Sequence, residues 1–114
     1  MIYKTDNMLQ RKEVIDKIRL IGKDSIPEGG RMFLFGSQAR GDAHEDSDWD
    51  ILILLNKSRI ENKDFDEVAY PIIEMGWKMG IQINPLLYTF ESWEQRNFSL
   101  FYKNVQKDSI ELCH

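Results

Sequence analysis

The chain has 114 residues, which sets a single domain over 1–114 as the expectation, with room for one modest core. Hydrophobic residues supply 42% and charged residues 30%, the balance of a globular chain rather than a disordered one. A net charge of −4 and a pI near 5.1 argue against a generic nucleic-acid coat protein, and no sequence-specific nucleic-acid binding is expected.

The N-terminal stretch MIYKTDNMLQRKEV has no apolar segment of the signal-peptide type. MLQRKEVIDKIRLIGKDSI reads as an amphipathic helix, with Leu9, Val14, Ile18 and Ile21 on one side. PEGG stops it and turns the chain. RMFLF is a short strand ended by Gly36, and SQARG fits one helical turn closed by Gly41. After the polar loop DAHEDS comes DWDILILL. Its unbroken aliphatic run, Ile51 to Leu55, predicts a strand buried on both faces, and it is far too short to span a bilayer.

IENKDFDEVAYPIIEMGWKMG predicts a helix with Phe65, Val68, Ile72 and Met75 on its apolar face and a kink or split at Pro71. IQINPLLYT predicts a third strand, at a sheet edge or bulged because Pro85 has no N–H. FESWEQRNFSLFYKNVQKD closes the chain as one or two helices. The order α-β-β-α-β-α implies an α+β fold, an α/β sandwich in which helices cover a mixed three-stranded sheet. The sole cysteine, Cys113, permits no internal disulfide, which fits a reducing, cytoplasmic setting.

The chemistry is concentrated in LFGSQARGDAHEDSDWDILILL. Side chains alternate along a strand, so Asp48 and Asp50 point to one face and Trp49 to the other, into the core. Two adjacent carboxylates repel unless a cation or solvent lies between them, and Mg²⁺ is the natural partner for such a pair. Upstream, Gly36 allows close backbone approach at a strand-to-helix junction whose N–H groups face an anion, and the Ser37 hydroxyl can add a hydrogen bond to a phosphate. One stretch can therefore hold a nucleoside triphosphate and its metal.

GSQARGDAHEDSDWD resembles the signature of the DNA polymerase β-like nucleotidyltransferase superfamily, Gly-Ser followed at a set distance by Asp-x-Asp. With GSQARGDA and SDWD it most resembles the minimal nucleotidyltransferase (MNT) branch of small stand-alone domains. The resemblance implies that Gly36 and Ser37 bind the triphosphate of ATP, that Asp48 and Asp50 are the catalytic ligands of Mg²⁺ (or Mn²⁺), and that Arg40 reaches a phosphate. It implies transfer of a nucleoside monophosphate, most simply AMP, to a hydroxyl. The alternative it implies is an antitoxin of MNT type that binds and neutralises a helical HEPN-type toxin. A chain this short leaves little surface for an acceptor, so a second subunit could complete that site.

One departure stands out. The superfamily usually carries a third carboxylate on a later strand, and IQINPLLYT has no acid. Gln82 and Asn84 share one face of that strand, and either could occupy the third position; an amide is a poorer Mg²⁺ ligand and base than a carboxylate. Asp42, Glu45 or Asp46 of the loop could substitute instead, although solvent exposure is the plainer reading of all three and of His44. Trp77, Trp93, Met75 and Met79 read as packing residues, and Phe98, Phe101 and Tyr102 as residues that close the core or meet a partner.

Overall fold

The computed structural model describes residues 3–44 and 46–113, with side chains from residue 10 onward. Helix α1 (Tyr3–Ser25) is followed by β1 (Arg31–Phe35), the short α2 (Ser37–Arg40) and β2 (Trp49–Leu55). Next come α3 (Asn62–Asp64), a π-helical stretch (Phe65–Ala69), α4 (Tyr70–Lys78), β3 (Ile83–Thr89), α5 (Phe90–Glu94), α6 (Leu100–Asp108) and β4 (Ile110–Cys113).

The fold is α+β, as expected, but the sheet has four strands rather than three, in the order β3-β2-β1-β4. The addition is β4, which pairs antiparallel with β1 and covers an edge that would otherwise stay open. Its only buried side chain is Leu112, and a bidentate pair, Arg31 Nε and Nη2 to Glu111 at 2.7 Å each, ties it to β1. β2 runs antiparallel to β1 and parallel to β3, and the helices of 62–78 make the crossover that a parallel pair requires. Pro85 falls on β3, an edge strand, where its missing N–H costs no ladder bond.

β2 divides the interior. Trp49, Ile51, Ile53 and Leu55 pack against Val14 and Ile18 of α1, Val68 of the π-helical stretch, and Ile72 and Met75 of α4. Leu52 and Leu54 face the other way, toward Trp93 of α5 and Val105 of α6. Trp49, Trp93 and Met75 are core residues as expected; Trp77 is not, being 59% exposed. Leu9 lies within α1, but its side chain is outside the described residues.

The expected break at Pro71 takes a specific form. Pro71 cannot donate to the carbonyl four residues back, and its ring crowds that carbonyl. The chain widens into π geometry just before it, with the Tyr70 N–H donating to Phe65 O, and α4 then starts with Pro71 in its first turn.

Candidate active site

Three strand ends meet at one end of the sheet: the close of β1, the start of β2 and the start of β3. Gly36 leaves β1 with φ 74° and ψ −157°, a conformation open almost only to glycine. A Cβ built there would lie 2.6 Å from Asp50 Oδ2, so the missing side chain leaves room for that carboxylate. The two halves of the motif, fourteen positions apart in sequence, are thus in direct contact. Ser37 opens α2, whose carbonyl acceptors begin with Gly36 O, bound by the N–H groups of Ala39 and Arg40. The amides of Ser37 and Gln38 precede that ladder and have no partner among the described residues.

Asp50 pairs in register with Phe35 on one side and Asn84 on the other. Asp48 is exposed and Asp50 half-buried on the same face. Asn84 Nδ2 donates to Asp48 Oδ2 at 3.0 Å and lies 3.5 Å from Asp50 Oδ1. Gln82 Nε2 donates in turn to Asn84 Oδ1 at 3.1 Å. Of the two residues proposed for the third position, Asn84 stands against the aspartates and Gln82 stands behind it.

Burial pushes the Asp50 carboxyl above the ordinary aspartate range; the Asn84 hydrogen bond opposes this, the neighbouring Asp48 charge adds to it, and Arg40 draws it back. Hard, anionic oxygens on one solvent-accessible face, with a glycine beside them in place of a side chain, fit a hard dication such as Mg²⁺. Arg40 lies close enough to act on Asp50, while its Nε donates to Asp42 Oδ2 at 3.2 Å.

The loop acids do not join the pair: among the described residues no group of three or more His, Cys, Asp or Glu side chains could hold a metal. Asp42 is engaged by Arg40 and Asp46 is exposed. Glu45 lies outside the described residues. His44 is an exposed loop residue whose N–H donates to Ser47 Oγ at 2.7 Å.

Two supports have no counterpart among the sequence motifs. Arg11 Nη2 donates to Gln38 O at 2.8 Å and anchors α2 to α1. Gln38, buried at 7% exposure, approaches Ser47 O through Nε2 at 3.4 Å and so links α2 to the start of β2. These residues also line a cleft of about 240 Å³ on the Trp49 side of the sheet, behind the carboxylates. On the carboxylate face, Phe101 packs edge-on against Phe35 with ring centroids 5.6 Å apart. Beside it Phe98 and Leu100 are exposed at 78% and 73%.

A mixed sheet that brings Gly-Ser and Asp-x-Asp together at one end defines the nucleotidyltransferase class. Residues 15–110 match the nucleotidyltransferase domain family, and the chain belongs to that family. Two proteins of Methanocaldococcus jannaschii, provisionally named protein adenylyltransferases MJ0604 and MJ0141, are similar to it. The first is 35% identical over 78 residues, 68% of this chain and 72% of the relative. The second is 38% identical over 77 residues, 68% of this chain and 74% of the relative. Among solved structures, a toxin–antitoxin complex with AMP-PNP superposes with a TM-score of 0.61 at 20% identity, covering 86% of this chain and 71% of the other. A mutant of the toxin–antitoxin MntA-HpeT superposes with a TM-score of 0.60 at 18% identity, over the same shares.

Proposed function

We propose that the chain is an adenylyltransferase that moves AMP from Mg·ATP to a hydroxyl of a protein. The observation that carries this reading is the contact between Gly36 and Asp50, which joins the two halves of the motif. The free amides of Ser37 and Gln38, with the Ser37 hydroxyl, receive phosphate oxygens. Asp48 and Asp50 hold Mg²⁺ or Mn²⁺, which when bound neutralises charge on the reacting phosphate and the departing pyrophosphate. Arg40 adds positive charge at the phosphate end, and Arg11 fixes the turn that presents the amides. The similarity to the archaeal proteins supports AMP as the transferred group and protein as the acceptor. The solitary Cys113 agrees with a cytoplasmic site of action, and among the described residues no helix is long and apolar enough to cross a membrane.

A second reading has its own support. The reading takes Asn84, bonded to Asp48, as the residue in place of a third carboxylate, and it draws on Phe101, packed on Phe35 of the carboxylate face, and on the exposed Phe98 and Leu100 near it in sequence. These features suit an antitoxin that engages a HEPN-type partner with little or no transfer, and the likeness to toxin–antitoxin structures agrees with it.

Incubation with Mg²⁺, α-phosphate-labelled ATP and a host lysate separates the two. Label on one macromolecule, absent with an Asp48→Asn/Asp50→Asn variant, establishes transfer and identifies the acceptor. Nucleotide binding by calorimetry without transfer of label supports the binding role.

A further inference from the structure

We infer that this site takes one divalent cation per nucleotide, because Asn84 closes the position a second ion would need. The inference rests on the nucleotidyl-transfer reading and goes on to its ion count.

Among the described residues, Asp48 and Asp50 are the only carboxylates that meet here, and no third acid, histidine or cysteine completes a metal-binding group. Among the side chains, two carboxylates balance one dication. A second dication finds no anionic side chain of its own and would rest on phosphate oxygens and water alone, beside the repulsion of the first ion.

β3 is the strand from which a further ligand would come, since Asn84 pairs in register with Asp50. What it presents is a donor. Nδ2 points at both carboxylates, 3.0 Å from Asp48 Oδ2 and 3.5 Å from Asp50 Oδ1, so the β3 side of the pair meets an N–H₂ group, while Asp50 Oδ2 faces Gly36. A cation there would meet the positive end of an amide dipole.

Turning the amide is opposed by its neighbour. Asn84 Oδ1 accepts from Gln82 Nε2 at 3.1 Å, so offering that oxygen to a cation requires both amides to turn together. The result would still be a neutral ligand.

The test is an ion count. The protein is dialysed to equilibrium against Mn²⁺ and α,β-methylene ATP, and bound Mn²⁺ is counted per chain and examined by electron paramagnetic resonance. The unaltered chain is expected to bind one Mn²⁺ with the spectrum of an isolated ion. Asn84→Asp is expected to bind two, with an exchange-coupled spectrum. Two ions on the unaltered chain would overturn the inference, and this count stands whether or not the variant folds. A folded Asn84→Asp that stays at one ion would overturn the assignment to Asn84. Binding of neither Mn²⁺ nor analogue would instead remove the nucleotidyl-transfer reading beneath it.

Discussion

Gly36 concentrates two constraints in one residue. Its φ of 74° with ψ −157° excludes an L side chain on backbone grounds, and Asp50 Oδ2 excludes one on steric grounds. Gly36→Ala therefore strains the strand end by about 1–3 kcal/mol and displaces the Asp50 carboxylate. Denaturant unfolding should show the first effect, and calorimetry should show Mg·ATP affinity reduced at least ~10-fold, about 1.4 kcal/mol. Gly41→Ala, also at positive φ but with nothing within 4 Å of its Cβ, separates the two: it should cost stability and spare affinity. As candidates, Gly36, Ser37, Asp48 and Asp50 were legible in sequence because their types and spacing are local to one motif. Asn84 was legible only as one of two candidates. Choosing it over Gln82 needed the β2–β3 register, which sets Asn84 beside Asp50. Arg11 left no signal at all, since its bond to Gln38 joins elements 27 positions apart.

At the scale of elements, the crossover between β2 and β3 is started by a buried acid. Asp64 is 4% exposed, accepts from the Glu61 N–H at 2.7 Å, and receives Lys57 Nζ at 2.9 Å. Burial alone would raise its carboxyl, but the Glu61 N–H and Lys57 outweigh burial and hold it below the ordinary aspartate range. A carboxyl lowered by folding stabilises in full above its unfolded pKa, and this stability is lost as pH falls through the lower native value. Lys57 is raised, chiefly by Asp64, so its share is lost only when pH climbs through the native lysine value. Unfolding should thus become easier in acid below the ordinary carboxylate range, with a flat window between the two limits. Asp64→Asn should flatten the acid limb and cost about 1–2 kcal/mol at neutral pH through the weakened cap. Denaturation curves recorded from pH 3 to 8 on both proteins check the sign.

The same segment marks where legibility ended among the elements. A helix broken at Pro71 was readable, but the π-helical form of the break over Phe65–Ala69 was not, since Pro71 predicts a kink or a split without saying which geometry relieves it. β4 escaped notice because four residues give too little alternation, and its tie to β1 joins Arg31 and Glu111, 80 positions apart.

On the scale of the whole molecule, the site lies at one end of a sheet whose strand β2 is shared by two cores, on the face of the smaller one. The α1 and α4 side holds Val14, Ile18, Ile72 and Met75 against one face, whereas the other face has only Leu52, Leu54, Trp93 and Val105 as buried apolar residues. Trp93 is the keystone of the smaller core, contacting Tyr88, Phe101 and Tyr102 with ring centroids at 5.4, 5.8 and 4.9 Å. Trp93→Ala should cost about 3–5 kcal/mol and loosen α5 and α6. The site residues are held by other means: the β1–β2 and β2–β3 ladders, the Gly36 turn and the Arg11 anchor. Mg·ATP affinity of the folded variant should therefore stay within about twofold of the parent, as expected for separated sites. Hydrogen exchange would show protection lost in 90–108 and kept in β2. Affinity falling together with stability would instead mean that the α5–α6 layer shapes the nucleotide site, and the rim of Phe98, Leu100 and Phe101 would then belong to catalysis rather than to a partner.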